Sequence, residues 1–397
     1  MSQLYDAGRI DSYLERVTEA HQLTGAACLI RHRGELVYER YVGSRDYEGL
    51  EPLDETAIYR LFSMTKVITC TAALQLYEAG RFRLSDPVGD YMPAWRNMER
   101  LEIGPTGEIL RVPCRRPVRI VDLFTMSAGL SYGGSEHPID VEMKKAEAEL
   151  GERCGDYSTR EFADALAGLP LYFEPGTHWR YSLCHDVLGA LIEEISGQLF
   201  SDYLEEHIFR PLGMVDTAFW VPVEKRARCV ALSPAATWRK YEAGSDLSRE
   251  VATMAGFERR RFESGGGGLK GTLGDYMAFA DCLTHLGTSV DGVRLLSRGT
   301  VELMRRDHLD DARRADYSWD VQRGYSYGLG VRTLVDPAAA GSNGQPGEFG
   351  WAGAAGTWFM MDPAEELTLV FGQRRMPNLE DQVAPIVRTL AYACLPD

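Results

Sequence analysis

The feature that most restricts the fold is the placement of the predicted β-strands, which lie at the two ends of the chain. Near the N-terminus, residues 25–30 and 35–42 are short apolar or alternating runs around His32-Arg33-Gly34, a pattern typical of a β-hairpin. Three more strands are predicted near the C-terminus, at residues 325–334, 354–361 and 367–373, with a tight turn at Asp362-Pro363 between the last two. Strands at both ends predict one antiparallel sheet to which both ends of the chain contribute.

The middle of the chain is mainly helical and separates the two groups of strands. We predict an α+β fold in which residues 1–85 and 286–397 together form a lobe with an antiparallel sheet flanked by helices, and residues 86–285 form an inserted, mainly helical lobe. The cleft between such lobes is a usual place for a ligand site. Helices are predicted at residues 7–22, from Ser63 to about residue 80, and at 120–126, 159–167, 184–196, 200–208, 273–286 and 381–393, and long loops at 43–55, 97–117 and 221–263.

Composition restricts the partners of the protein. Of its 397 residues, 43 are Lys or Arg and 58 are Asp or Glu, so the formal charge is −15. Such a charge repels nucleic acid and anionic membrane surfaces, and it favours small-molecule partners. The chain starts without a basic segment followed by an apolar one, and no run reaches the roughly 20 apolar residues that cross a bilayer. We therefore expect a soluble, cytoplasmic protein, and the sequence leaves its oligomeric state open.

The cysteines and histidines do not indicate a metal ion or a cofactor. The eight cysteines are scattered without Cys-x-x-Cys spacing, as expected for reduced thiols rather than for a disulfide framework or a zinc site. The histidines form no His-Glu-x-x-His pattern, and we expect His178 and His185 to be structural.

The run Ser63-Met64-Thr65-Lys66 offers a nucleophile and its base within one helical turn. Residues three apart on a helix project from the same face, and a serine hydroxyl needs a neighbour that takes its proton as it attacks. Lys66 can do so when it is neutral, and the apolar neighbours of the run, together with the positive end of the helix dipole, are expected to disfavour its ammonium form. Backbone N–H groups at a helix N-terminus can also hold an oxyanion. A chance match of this short pattern is the competing explanation.

Tyr181 is the second candidate, because it stands just before the predicted helix 184–196, at the edge of the helical lobe. A phenol beside a lysine cation loses its proton more easily, and the phenolate can act as general base and then return the proton to the leaving group. The alternative is a tyrosine that packs on the helix with its hydroxyl bonded to the backbone.

The third candidate is the run Trp351-Ala352-Gly353-Ala354, which opens the predicted strand 354–361. Small residues let the backbone approach a ligand, and the N–H of Ala354 could complete an oxyanion hole with the N–H of Ser63. The alternative is a glycine-rich turn before a core strand.

A competing nucleophile is Ser131, because the run from Gly129 to Gly133 fits the Gly-x-Ser-x-Gly pattern of α/β-hydrolases. That pattern requires a strand before the serine and a helix after it. Here a predicted helix precedes Ser131 and more glycine follows, so we favour Ser63 as the nucleophile. Tyr132, within the same run, is a candidate for lining the cleft.

Taken together, Ser63-x-x-Lys66, Tyr181-Ser182-Leu183 and Trp351-Ala352-Gly353 resemble the three-part signature of the serine β-lactamase and penicillin-binding protein superfamily. Their order and spacing are closest to class C β-lactamases and the related family VIII carboxylesterases. Further similar segments, at residues 122–130, 211–214 and 264–269, extend the likeness along nearly the whole chain. The resemblance implies a β-lactamase-like fold and a site between two lobes that uses Ser63, Lys66 and Tyr181. We expect Trp351, Gly353 and Tyr132 to contact the substrate.

Two departures from class C β-lactamases bear on the substrate. Leu183 replaces an asparagine whose amide holds the β-lactam side chain, and Trp351 replaces a lysine that meets the β-lactam carboxylate. A Trp at this position is similar to the family VIII esterases, and it offers an apolar wall to a neutral ester. We therefore predict a carboxylesterase that forms an acyl-enzyme on Ser63. A β-lactamase, a D-amino-acid peptidase or other amide hydrolase, an acyltransferase and a catalytically silent binding protein are the alternatives.

Overall fold

A computed structural model describes residues 6–20, 23–46, 49–106, 108–133, 135–232, 256–318, 322–375 and 378–396. Its strands are β1 (Gly25–His32), β2 (Glu35–Gly43), β3 (Tyr59–Arg60), β4 (Glu99–Ile103), β5 (Ile109–Pro113), β6 (Lys270–Gly271), β7 (Tyr325–Tyr327), β8 (Arg332–Leu334), β9 (Phe349–Ala352), β10 (Trp358–Asp362) and β11 (Leu367–Gln373). Seven of them form one antiparallel sheet in the order β2-β1-β11-β10-β9-β8-β7. The remaining strands form the pairs β3-β6 and β4-β5.

The junction between β1 and β11 joins the two ends of the chain in the middle of this sheet. Cys28 of β1 lies opposite Phe371 of β11, in an antiparallel register that runs along the whole of β1 from Ala26. Successive side chains of a strand point to opposite faces, and here both faces are covered. One face of β1, with Ala26, Cys28 and Ile30, packs in a smaller apolar core, and the other face belongs to the main core. The predicted sheet with strands from both ends is therefore present.

The helices are α1 (Gly8–Glu19), α2 (Thr65–Glu78), α3 (Ile120–Phe124), α4 (Pro138–Cys154), α5 (Thr159–Ala167), α6 (Cys184–Ser196), α7 (Phe200–Leu204), α8 (Arg210–Leu212), α9 (Leu273–Thr284), α10 (Arg298–Met304), α11 (Asp311–Asp316), α12 (Pro337–Ala340) and α13 (Glu380–Ala393). A π-helical segment, Glu205–Phe209, joins α7 to α8. Of the described helices, none is both long enough and apolar enough to cross a membrane.

Helices cover both faces of the sheet. The first and last helices, α1 and α13, lie on one face, where Leu14 and Val387 belong to the smaller core. On the opposite face lies α9, whose Tyr276 ring stands 4.7 Å from the ring of Phe359 in β10. The hydroxyl of Tyr276 donates to the carbonyl of Met64 at 2.9 Å. Because Met64 adjoins Ser63, α9 links the sheet to the segment that carries the predicted nucleophile.

The C-terminal strands differ from their predicted bounds. The predicted strand 325–334 is a hairpin, β7 and β8, because the chain turns between Tyr327 and Arg332. The strand predicted from Ala354 begins only at Trp358, and Ala354 lies in the turn that joins β9 to β10. Strand β9 was not predicted, because the run that contains its four residues was predicted only to open the strand 354–361.

The middle of the chain also contains elements that were not predicted. The predicted loop 97–117 contains the hairpin β4-β5, whose mostly exposed strands lack the apolar alternation that would have marked them. Helix α4 was also missed; it is capped by His137, whose ring nitrogen accepts from the N–H of Ile139. Most of the predicted loop 221–263 lies outside the described residues, as does Gln22 at the predicted end of the first helix.

The packing of α9 also bears on the predicted division into lobes. The boundary after residue 285 placed this helix in the inserted lobe, yet α9 packs on the sheet through Tyr276. We therefore propose that the inserted lobe ends before Leu273. The boundary at residue 85 stays a prediction.

Candidate active site

Ser63 lies at the start of α2 and is partly exposed. It belongs to a 3-10 turn, Phe62–Met64, that precedes the helix, so the predicted single helix begins with a tighter turn. Phe62 has a φ of 44°, which is unusual for a residue with a side chain and is a form of strain that concentrates at functional sites. The strained turn places the serine at the N-terminal end of α2.

Lys66 is completely buried in the first turn of α2, and its ammonium group contacts three oxygen atoms. Its Nζ donates to Ser63 Oγ at 3.1 Å, to the hydroxyl of Tyr132 at 2.6 Å and to the carbonyl of Gly266 at 2.5 Å. The predicted proximity of Ser63 and Lys66 is therefore present. The apolar residues that flank the run, such as Leu61 and Val67, are buried in the main core, and the Lys66 amine also contacts three oxygen acceptors.

Tyr181 lies shortly before α6, as predicted, and its ring faces the same amine group. Its ring centroid lies 4.7 Å from Lys66 Nζ, within the range of a cation–π interaction. Its hydroxyl accepts from the indole N–H of Trp351 at 3.2 Å, and the two rings lie 5.6 Å apart. Trp351, which lies on β9 at the edge of the cleft, therefore contacts Tyr181.

Tyr132 lies nearer to the centre of the site than predicted. The sequence suggested only that it lines the cleft, whereas its hydroxyl is hydrogen-bonded to Lys66 Nζ and its ring lies 5.3 Å from the ring of Tyr181. Two tyrosines thus flank one lysine. The Gly-x-Ser-x-Gly pattern drew attention to Ser131 and gave no sign of this contact.

Gly353 and Ala354 follow β9 and close the site on the side of the sheet. A Cβ atom at Gly353 would lie 2.5 Å from the carbonyl oxygen of Leu61, so only glycine allows the two segments to approach so closely. Ala354 is next in the chain, and within the described part of the protein its N–H donates to no backbone acceptor. Asn378 holds this turn by donating to the carbonyls of Gly353 and Ala354.

A cavity of about 160 Å³ opens between these elements. Besides the predicted Ser63, Tyr181, Trp351, Gly353 and Ala354, it is lined by Ala352 and by four polar residues that the sequence did not single out: Gln322, Arg332, Asn378 and Glu380. Arg332 and Glu380 form an ion pair whose side chains are only 4% and 13% exposed. Arg332 lies on β8 and Glu380 at the start of α13. No sequence motif includes either residue, because only the folded sheet brings them close to Ser63.

Ser131 and Leu183 both lie away from the cavity. Ser131 is buried, and its Oγ accepts hydrogen bonds from the N–H of Gly133 at 3.0 Å and from Arg180. Leu183 is also buried, in the main core. Ser131 therefore lacks the exposure that a nucleophile needs, and Leu183 presents no group to a ligand.

Three titratable residues lie behind Lys66, on α2 and α6. Burial, together with the charge of Lys66, lowers the pKa of His185 to about 3. Burial raises the pKa of Cys70 well above its usual value, and the charge of Lys66 opposes that effect. Burial also raises the pKa of Asp186, against the hydrogen bond from Ser264 and the charge of Lys66. In the ranges that the structure describes, no group of three His, Cys, Asp or Glu could hold a metal ion.

Comparisons with known proteins show which proteins this chain is similar to. The sequence profile of the family described as Beta-lactamase matches residues 10–393. Esterase EstB from Burkholderia gladioli is 30% identical over 367 residues, which cover 89% of this chain and 87% of EstB. Acyltransferase calJ from Penicillium decumbens is 25% identical over 371 residues, which cover 89% of this chain and 84% of calJ. The structure of simvastatin synthase (LovD) from Aspergillus terreus superposes with a TM-score of 0.78 at 26% identity, covering 98% of this chain and 97% of that one.

Proposed function

Because the chain belongs to the beta-lactamase family, we propose that it is a serine hydrolase of the carboxylesterase type, which acts on small esters through an acyl-enzyme on Ser63. The observation that carries this proposal is the 3.1 Å contact between Ser63 Oγ and Lys66 Nζ beside a cavity walled by Trp351. A nucleophile and a proton acceptor within hydrogen-bond reach are the minimum that acyl transfer requires.

The proposed reaction begins when Ser63 Oγ attacks the ester carbonyl and gives up its proton. A fully protonated cluster of Lys66, Tyr132 and Tyr181 has no place for that proton, so the cluster must first lose one. We propose that this proton leaves from Lys66 or from one of the two tyrosines beside it. The N–H groups of Ser63 and Ala354 then stabilise the tetrahedral oxyanion, the leaving alcohol departs, and water releases the acyl group from Ser63.

The two tyrosines are proposed to have different tasks. Tyr181 lines the cavity, so it is suited to deliver the proton to the leaving alcohol. Tyr132 is bonded to Lys66 Nζ and is not among the residues that line the cavity, so it is suited to share the proton with Lys66.

The size and the walls of the cavity favour a short acyl group. Its volume of about 160 Å³ is below the roughly 300–1,000 Å³ of typical ligand pockets. One wall is the aromatic ring of Trp351, which suits a neutral ester. The buried pair Arg332–Glu380 lines the same cavity, and covering it with a long alkyl chain would remove water from two charges. Short or polar acyl groups are therefore proposed as the preferred substrates.

Replacing Ser63 by Ala tests the nucleophile. We expect Ser63→Ala to abolish hydrolysis of p-nitrophenyl acetate while the thermal unfolding midpoint stays within a few degrees of the wild type, because the hydroxyl is at a partly exposed site. Ser131→Ala is the matched control, and it should retain most of the activity. Full activity in Ser63→Ala, or its loss in Ser131→Ala alone, would reject the assignment.

Acyl transfer to an alcohol is the second candidate, since the relatives include a protein named acyltransferase and a structure named simvastatin synthase. It uses the same acyl-enzyme and requires only an alcohol that competes with water for the acyl group. Product analysis with p-nitrophenyl acetate and added 1-butanol separates the two activities. Butyl acetate as the main product would favour transfer, and acetate would favour hydrolysis.

Amide hydrolysis and a silent binding protein are the remaining alternatives. Comparing turnover of nitrocefin, a D-alanyl peptide and p-nitrophenyl acetate separates amide from ester chemistry, and the absence of a cation at Trp351 predicts that the ester is preferred. Exposure to a fluorophosphonate followed by mass spectrometry tests for a reactive serine. Absence of an adduct on Ser63 would favour the binding protein.

A further inference from the structure

The turn formed by residues 264–268 is held against the candidate site by several hydrogen bonds. Its Gly266 carbonyl accepts from Lys66 Nζ, as described above. On one side of Gly266, Thr69 donates to the carbonyl of Gly265 at 2.8 Å, and on the other, the buried Lys270 donates to the carbonyl of Gly268 at 2.8 Å. The position of the Gly266 carbonyl, and with it one of the three contacts of Lys66, depends on what fixes this turn.

Asp186 holds the turn of residues 264–268 in place through two hydrogen bonds. It lies in the first turn of α6 and is 1% exposed. Its Oδ1 accepts from Ser264 Oγ at 2.6 Å and from the N–H of Gly266 at 3.1 Å. The shorter distance is typical of a hydroxyl that donates to a carboxylate. Asp186 thus holds the same residue, Gly266, whose carbonyl receives Lys66.

The other carboxylate oxygen lies on the side of the reactive cluster. A Cβ atom added at Gly266 would stand 2.4 Å from Asp186 Oδ2 and 3.1 Å from the hydroxyl of Tyr132, so both oxygens face the same side of Gly266. In the described ranges, Oδ2 has no hydrogen-bond partner although it is fully buried. A buried carboxylate oxygen without a hydrogen bond is costly unless a nearby cation balances its charge, and Lys66 is the cation whose charge acts on Asp186.

We propose that Asp186 is a positioning residue of this site, which holds the Gly266 carbonyl on Lys66 and supplies the negative charge that balances the cation beside Ser63. The proposal rests on the proposed function, because it assigns a task within the activation of Ser63. Asp186 touches neither the substrate cavity nor Ser63, and it acts through Gly266 and through its charge.

The test is the pH dependence of Ser63 labelling by a fluorophosphonate, which reports activation of the nucleophile without a later release step. The groups that face or surround Lys66 and whose charge affects this profile are Tyr132, Tyr181, Cys70, His185 and Asp186. Asp186→Asn keeps an oxygen acceptor for Ser264 and Gly266 and removes the charge. Without that charge the cluster loses a proton more easily, so the rising limb of the profile should move to lower pH by about 1 to 3 units.

Two further variants complete the design. Asp281→Asn is the matched control, since Asp281 is also a buried carboxylate that accepts from a hydroxyl, that of Thr368, but it lies on α9. This variant should leave the rising limb in place. Ser264→Ala keeps the carboxyl group of Asp186 and removes one anchor of the turn, so we expect a plateau rate about tenfold lower.

The outcomes separate this inference from the proposed function. Failure of the wild-type protein to react at Ser63 would reject the proposed function itself. If the wild type is labelled, two results would overturn the role of Asp186 alone. One is an unshifted rising limb in Asp186→Asn, and the other is an equal shift in Asp281→Asn. Thermal unfolding shows whether Asp186→Asn is folded. If it is not, Ser264→Ala decides, and a plateau rate equal to that of the wild type overturns the proposal.

Discussion

At the scale of single residues, the proposed chemistry depends on how Lys66 is held. Its Nζ has a fixed position because Ser63, Tyr132 and Gly266 each accept one of its hydrogens. A lysine held in this way cannot rotate freely, so Ser63 Oγ has a proton acceptor at a constant distance once the cluster has lost a proton. Such fixed geometry contributes to rate without any movement at the moment of reaction.

The different tasks proposed for the two tyrosines predict different substrate dependence. Tyr181→Phe should slow hydrolysis of ethyl acetate by about 10²–10⁴-fold and that of p-nitrophenyl acetate far less, because p-nitrophenolate leaves without a proton. Tyr132→Phe should slow both esters by a similar factor, because it affects activation of Ser63. The measurement is kcat for each ester with each variant.

If Tyr132 only lines the cleft, its replacement will raise KM and leave kcat unchanged. An equal loss on both esters in Tyr181→Phe would instead assign Tyr181 to the activation of Ser63.

At the same scale, the sequence predicted those contacts that are local in the chain. Ser63 and Lys66 are three residues apart, so helical geometry alone predicted their contact. Tyr132 is 66 residues from Lys66 and Gly266 is 200 residues from it, and no local pattern predicts which tyrosine or carbonyl meets a lysine over such separations. The sequence therefore could not predict these two acceptors of Lys66, since they come from distant segments.

At the scale of elements, the ion pair Arg332–Glu380 joins β8 to the start of α13 at the wall of the cavity. Both side chains are largely buried, and the pair connects the sheet with the helix that covers it. Glu380 also adjoins the segment of Asn378, which holds the turn of Gly353 and Ala354. The pair therefore affects the shape of the candidate oxyanion site as well as stability.

We predict that Arg332→Met lowers the free energy of unfolding by about 3–5 kcal/mol, because it leaves the carboxylate of Glu380 buried without its partner. Urea unfolding followed by circular dichroism measures the change. The matched control is Arg9→Met, which breaks the ion pair with Asp6 at a site where both side chains are about half exposed, and it should cost no more than about 1 kcal/mol.

A double variant strengthens this test. Arg332→Met combined with Glu380→Met leaves no charge unpaired, so it should recover part of the lost stability. Equal effects of Arg332→Met and Arg9→Met would contradict the prediction.

Helices were predicted better than short strands. The bounds of α5 and α6 agree with the prediction, because their apolar residues recur at helical spacing over several turns. Strands β7, β8 and β9 have only three or four residues each, too few for an alternating pattern, and their hydrogen-bond partners decide their bounds. Prediction from the sequence therefore gave the bounds of these two helices correctly and missed the strand that carries Trp351.

At the scale of the whole molecule, the β-lactamase-like α+β fold and the family expected from the three motifs are confirmed. The reason is that the motifs extend along the chain from Ser63 to Trp351, and their order fixes how the helical segment and the sheet come together. The substrate was not determined in the same way, since the cavity is built from side chains that no motif contains.

The free energy of unfolding of the whole molecule should decrease as the pH falls from 6.5 to about 3, in part because of His185. Burial lowers the pKa of His185 to about 3, so in this interval the unfolded chain binds a proton that the folded chain does not. Unfolding is then favoured as the pH falls, by up to about 1.4 kcal/mol per pH unit for one such group. Above pH 6.5 His185 is neutral in both states and its contribution does not change.

The free energy of unfolding, measured by urea at several pH values, tests this prediction. In His185→Gln, which cannot titrate, the dependence on pH between 6.5 and 3 should be flatter than in the wild type. Parallel curves for the two proteins would show that His185 takes up its proton in the folded state.

The pairing of β1 with β11 has a consequence for synthesis of the protein. On the ribosome, β1 and β2 emerge first, and the strand that lies beside β1 is made only after more than three hundred further residues. Until then one edge of β1 is unpaired in the growing polypeptide. An unpaired apolar strand edge promotes aggregation and chaperone binding. The cleft of the candidate site, which lies against this sheet, can be completed only when translation is nearly finished.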